Sequence, residues 1–138
     1  MSQDIRWEQR FQNFDRSVSL LREPMARGVD HLSMLEKEGV AHRFELLVEL
    51  AWKTMKDFLE HEGAVIQPVT PRAVIKAAFA AGMISDGQVW IDMLDHRNLL
   101  SHTYDAATFE QVIVAIRDRY LAAIGDLHAW LVGRRSTP

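Results

Sequence analysis

Residues 92–104 read Asp92-Met93-Leu94-Asp95-His96-Arg97-Asn98-Leu99-Leu100-Ser101-His102-Thr103-Tyr104. Just before them, Asp86 and Gly87 look like a helix start, with Asp86 as the N-cap. On a helix from there, at about 100° per residue, Trp90, Met93, Leu94, Arg97, Leu100 and Ser101 share one side. That side reads as a buried stripe, and Arg97 lies near its middle. A guanidinium on such a stripe is costly if it is buried without a partner. It is therefore paired inside the protein, or it faces a protein interface, or it faces an anionic ligand.

The segments around this stretch are helical as well. Over residues 4–22, Trp7, Phe11, Phe14, Val18 and Leu21 step by four, three, four and three, a seam at nearly heptad spacing that needs a partner helix. Pro24 ends that helix or opens the next one. Residues 25–38 carry a weaker pattern in Val29, Leu32 and Leu35, interrupted by Gly28 and closed by Gly39 as a C-terminal cap; they read as a short or broken helix. From 41 to 60 the pattern is strong. Phe44, Leu47, Val48, Ala51, Trp52, Met55, Phe58 and Leu59 face one way, and Glu45, Glu49, Lys53 and Lys56 the other. Glu49 and Lys53 stand in the favourable i, i+4 order. Gly63 closes this helix.

Thr70 and Pro71 then start a short helix that points Val74, Ile75, Ala78 and Phe79 inward and stops at Gly82. After Tyr104, Asp105 caps a long last helix with Phe109, Val112, Ile113, Ile116, Tyr120, Ile124, Leu127 and Leu131 on one face. No β-alternation, internal repeat or low-complexity tract is present. The expected fold is all-α: an up-and-down antiparallel bundle of five to six helices. It forms one domain over residues 1–138, ordered over about 4–132, with 133–138 as a tail.

Composition narrows the function. The chain has 138 residues, 48% hydrophobic and 25% charged, with a net charge of -3. That balance belongs to a globular protein without a global basic field, so any contact with RNA must come from a local basic spot. The absence of cysteine excludes disulfides, Cys-zinc sites and thiol catalysis. The polar start, Ser2-Gln3-Asp4-Ile5-Arg6-Trp7-Glu8, is not a signal peptide, and no apolar run nears the ~18 residues of a membrane span. A cytoplasmic location without membrane contact is expected. No glycine-rich phosphate loop, zinc helix or nucleophile elbow is present, so no cofactor and no metal is expected. Asp92, Asp95 and His96 have a spacing that could ligate a metal, but such triplets are common on wet helix faces.

What remains is Arg97 with His102. Five residues apart on a helix is about 140°, so the two side chains of one chain do not stack. The i, i+4 pairs are Arg97 with Ser101 and Asn98 with His102, so Asn98 can hydrogen-bond the imidazole and help fix its tautomer. His102 in the last turn would feel the negative end of the helix dipole, which favours imidazolium. Arg97 offers a permanent cation with a planar fork suited to phosphate. Together they outline a metal-free site for phosphodiester cleavage, with RNA as substrate because it carries its own 2′-hydroxyl nucleophile. One such pair is thin for an acid and a base, and a two-fold dimer would supply two. The bland alternative is that Arg97 pairs with Glu45 or Glu49 and His102 merely caps the helix end.

Arg97-Asn98-Leu99-Leu100-Ser101-His102 fits the Arg-polar-x(4–6)-His signature of HEPN domains, and Tyr104 extends it to Arg-x4-His-x-Tyr. Together with 43–53, 70–79 and 86–98, it resembles the family called nucleotidyltransferase substrate-binding proteins, over about residues 5–132 and least over 23–40. That resemblance implies a HEPN-like bundle, a homodimer, and a small separate nucleotidyltransferase as partner. For similar pairs it further implies either a subunit that presents substrate to that enzyme, or a toxin and antitoxin. In the second case Arg97 and His102 would cut RNA with Asn98 in support. The nucleotidyltransferase would silence them by attaching AMP to Tyr104, which puts a phosphate beside Arg97.

Overall fold

The aromatic seam of the first helix finds its partner in the second. The computed structural model describes residues 2–102 and 105–135, with side chains from Arg6 onward in those ranges. In α1 (Ser2–Ala26) Trp7, Phe11, Phe14, Val18 and Leu21 are all buried. They lie against α2 (Met34–His61), which buries Phe44, Leu47, Val48, Ala51, Met55, Phe58 and Leu59. The helix α2 is the axis of the molecule: α1, α3 (Pro71–Ala80), α4 (Gly87–Leu100) and α5 (Ala106–Ala115) all touch it. A π-helical turn over Ile116–Tyr120 joins α5 to α6 (Leu121–Val132), and α6 packs on α1. The expected all-α bundle is present, and its core is continuous across these helices.

Several boundaries differ from the sequence reading, each for a local reason. The helix α1 runs through Pro24 instead of ending there. Proline has no N–H to give to the carbonyl one turn back, which here is that of Leu20. Arg43 of α2 supplies the missing donor, its Nη1 reaching Leu20 O at 2.7 Å. The next helix also starts earlier than expected. Ser33 Oγ accepts from Glu36 N (3.1 Å) while Glu36 Oε1 accepts from Ser33 N (2.9 Å), a reciprocal cap that opens α2 at Met34. Gly39 is therefore inside α2 and not a C-terminal cap. Of the weak pattern before it, Val29 and Leu32 are buried around a short 3₁₀ turn (Val29–His31), but Leu35 is 78% exposed.

Other starts and stops follow the sequence. Thr70 Oγ1 accepts from Ala73 N, with Pro71 at the first helical position. Asp86 accepts from Val89 N and Asp105 from Thr108 N. Gly63, at φ 92°, follows the end of α2 in a conformation open to glycine. Phe79 does not face inward as expected: it is 53% exposed and lies over Gly87, where a side chain would meet its ring.

The π turn explains an oddity of the last stripe. Val112, Ile116, Tyr120 and Ile124 are spaced by four, and on a regular helix three such steps would swing the stripe by about 120°. The wider turn absorbs one extra residue, so all four stay buried. Among the described residues no helix is long and apolar enough to cross a membrane.

Candidate functional site

The helix α4 buries Trp90, Met93, Leu94 and Leu100 against the bundle, and Arg97 lies among them with 20% of its side chain exposed. Of the three ways to satisfy that guanidinium, the chain itself provides the first. Arg97 Nη1 donates to Glu49 Oε2 of α2 in a very short contact. Glu49 is held in turn by Trp52 Nε1 (3.1 Å) and by Lys53 Nζ (3.2 Å). Burial pushes the Glu49 carboxyl up, but the hydrogen bonds from Trp52 and Lys53 and the charge of Arg97 outweigh it, and it titrates below its usual range.

Asn98 serves the arginine and not the histidine. Its Oδ1 accepts from Arg97 Nε (3.3 Å) and Nη2 (3.0 Å). Ser101 Oγ donates back to Arg97 O at 3.1 Å, which finishes the helix. The helix ends at Leu100, so His102 stands two residues beyond it and not in its last turn as expected. Its N–H donates to Leu99 O (3.1 Å), and the residue is exposed. The structure thus brings Arg97, Asn98 and Glu49 together and leaves His102 at the free end of α4. Tyr104 lies outside the described residues. Just past it, Asp105 caps α5 at 2.7 Å from Thr108 N, and that backbone hydrogen bond lowers its carboxyl below the usual range.

Sequence reasoning missed a second group on α4. His96 Nδ1 meets the hydroxyl of Tyr120 at 2.7 Å. Tyr120 is fully buried in the π turn and stacks on Phe44 of α2, with centroids 5.6 Å apart and planes 11° apart. Burial raises the Tyr120 phenol to about 12, and burial likewise lowers His96. Both groups are therefore neutral near pH 7. The Tyr120 hydroxyl is buried and has no other acceptor among the described residues, so it is satisfied as a donor when His96 accepts at Nδ1 and carries its own proton on Nε2. A signal was present: a tyrosine in an otherwise aliphatic stripe needs a partner for its hydroxyl.

The other polar residues of α4 are engaged as well. Asp92 takes Arg119 Nη2 at 2.6 Å and Gln88 Nε2 at 2.9 Å, and Asp95 takes Arg72 Nη2 at 2.8 Å. The hydrogen bond from Arg119 is the main reason that Asp92 is held below its usual range. The Asp92, Asp95 and His96 triplet therefore serves separate contacts, to the π turn and to α3.

The sequence profile described as nucleotidyltransferase substrate binding protein like matches residues 9–132. The chain belongs to this family. This family member is also 30% identical over 83 residues to a Haemophilus influenzae protein named probable ribonuclease HepT, a match covering 58% of this chain and 57% of the relative. The chain thus spans little more than half the length of that curated relative. Among solved structures, a Thermus thermophilus protein superposes with a TM-score of 0.70 at 25% identity, covering 89% of this chain and 98% of its own. A Haemophilus influenzae protein, described as revealing the fold of a substrate binding domain of a nucleotidyltransferase, superposes with a TM-score of 0.64 at 23% identity, covering 94% and 98%. The fold expected from the sequence is the fold these proteins share.

Proposed function

We propose that this chain is a HEPN-type partner of a small nucleotidyltransferase and a metal-independent endoribonuclease toxin. Arg97 and His102 form the catalytic pair, Asn98 supports them, and the site is assembled across a homodimer. The observation that carries this reading is how Arg97 is held. A guanidinium has five N–H donors. Three of them go to Glu49 and Asn98, through Nη1, Nε and Nη2. Among the described residues two remain without a partner, one on each terminal nitrogen, and the group is still partly exposed. Arginine is thus oriented from one side and free to bind a phosphate from the other.

In the reaction, a His102 imidazole takes the proton from a 2′-hydroxyl, whose oxygen attacks the adjacent phosphorus. The 5′-oxygen leaves with a proton from His102 of the partner subunit, giving a 2′,3′-cyclic phosphate. Arg97 stabilises the charge that builds on the phosphoryl oxygens. The cytoplasm, where RNA and the nucleotidyltransferase meet, is the setting of this proposal. Transfer of AMP to the Tyr104 hydroxyl by the partner enzyme would place a phosphate two residues from His102 and silence the site.

The test is RNA cleavage by purified protein in EDTA. Wild type should cleave, and His102→Ala and Arg97→Ala should each lose at least about a hundredfold. Cleavage unchanged in His102→Ala would sink the mechanism.

One observation favours a second reading, a non-catalytic substrate-binding subunit. Arg97 already has an internal counter-ion in Glu49, so it has a structural role without RNA. That reading predicts a stable complex with the nucleotidyltransferase and no cleavage.

A further inference from the structure

Arg97 and His96 are consecutive on α4, so their side chains leave the helix about 100° apart. Arg97 reaches α2 at Glu49, and His96 reaches the π turn at Tyr120. Tyr120 in turn stacks on Phe44, which lies five residues before Glu49 on α2. The contacts close a ring: α2 to the π turn through stacked rings, the π turn to α4 through one hydrogen bond, and α4 back to α2 through the guanidinium.

The ring contains a link that resists rotation of α4 from its outer flank. The polar links beside it on that flank, Asp92–Arg119 and Asp95–Arg72, join side chains that are between a quarter and three-fifths exposed. Exposed pairs of this kind hold little. The Tyr120 hydroxyl is different, because it is buried and breaking its bond to His96 strands a donor away from water.

We infer that Tyr120 and His96 are positioning residues for Arg97: the buried hydrogen bond fixes the rotation of α4 about its axis and thereby aims the guanidinium. Neither residue touches RNA; both act through Arg97. The consequence for cleavage rests on the ribonuclease reading, but the lock itself does not.

Two measurements separate them. In labelled protein, hydrogen exchange at Arg97 Nε–H reports how firmly the guanidinium is held against Asn98. Exchange should be about tenfold faster in Tyr120→Phe and His96→Leu than in wild type. In His96→Asn it should stay near wild type, because the amide oxygen can accept the same hydroxyl proton. Equal exchange in wild type and Tyr120→Phe overturns the inference, and so does a loss in His96→Asn as large as in His96→Leu. If His96→Leu does not fold, the Tyr120→Phe and His96→Asn pair decides alone. In the EDTA cleavage assay, Tyr120→Phe should lower kcat about tenfold with KM near wild type, and His96→Asn should cleave nearly as well as wild type. Full kcat in Tyr120→Phe overturns the role in aiming. If the wild-type protein does not cleave RNA, the functional reading has failed, and exchange at Arg97 still decides whether the lock exists.

Discussion

Two clusters of rings tie the helices together, and they end differently. At one end Phe58 of α2 meets Trp7 from α1 and Trp130 from α6, at centroid distances of 5.0 and 5.2 Å and near-perpendicular planes. No hydrogen bond between side chains joins these three rings to one another among the described residues. At the other end Phe44 stacks on Tyr120, and Tyr120 meets His96 edge-on while its hydroxyl bonds the imidazole. The first group is glue, which tolerates small rotations of its helices. The second carries a direction, because a hydrogen bond fails when its angle changes. The molecule places its directional group beside Arg97 and its non-directional group away from it.

The largest effect should come from breaking the glue. Phe58→Ala removes the ring that both tryptophans lean on, at an expected loss of about 3–5 kcal/mol in urea unfolding. Exchange at Arg97 Nε–H should be unaffected wherever the variant remains folded. Next comes the counter-ion. Glu49→Ala leaves Arg97 without its carboxylate partner and should cost about 1–3 kcal/mol, whereas Arg97→Met, which removes the charge and keeps the packing, should be close to neutral. If Glu49→Ala were instead harmless, the arginine would be better hydrated than its 20% exposure implies. Ser33→Ala removes half of the reciprocal cap on α2, on which both ring groups rest. It should cost about 1 kcal/mol and leave the difference between the two ends unchanged, by melting temperature and by exchange.

The smallest effect is one of pH. Burial holds folded His96 below the ordinary histidine value of 6.5. In the unfolded chain His96 therefore takes up a proton first as pH falls through that value. Stability should decline from there until the folded imidazole is protonated too, and be constant in this respect above it. His96→Asn should flatten that part of the stability profile, and a profile unchanged by the substitution would show that His96 is not its source. Glu49 works in the same sense in a more acidic window: its contribution is present above its ordinary carboxylate range and is lost as pH falls through the lowered value.

The contrast between the two ends also explains what the sequence disclosed. The glue was legible. Trp7, Phe11, Phe14, Val18 and Leu21 recur at helical spacing, and periodicity alone assigns them to the core, where they lie. Thr70, Asp86 and Asp105 stood where caps belong, and they cap. Arg97 announced itself by interrupting a stripe. The partner of Arg97 was only narrowed to Glu45 or Glu49, since the choice depends on how α2 and α4 cross. The role of Asn98 was misjudged because i, i+4 geometry favoured His102, while α4 ended two residues short of it and the arginine folded back on its neighbour. The Ser33–Glu36 cap was legible but was masked by the weak pattern around Gly28 and Gly39. Arg43 on Leu20 O was not legible, because a side chain replacing a proline's missing donor comes from another helix. Tyr120 was seen as core and His96 as surface, and only the fold introduces them.

The wide turn at Ile116–Tyr120 has a consequence for sequence drift. Remove one residue between Ile116 and Tyr120, and the stripe would run 109, 112, 113, 116, 119, 123, 126, 130, the spacing of an uninterrupted α-helix. Loss of a single residue inside a helix normally rotates everything beyond it off the core. Here the deletion of exposed Asp118 would leave the same faces inward. The last helix therefore carries its own spare residue, and chains that lack it can share this bundle without any other change in length.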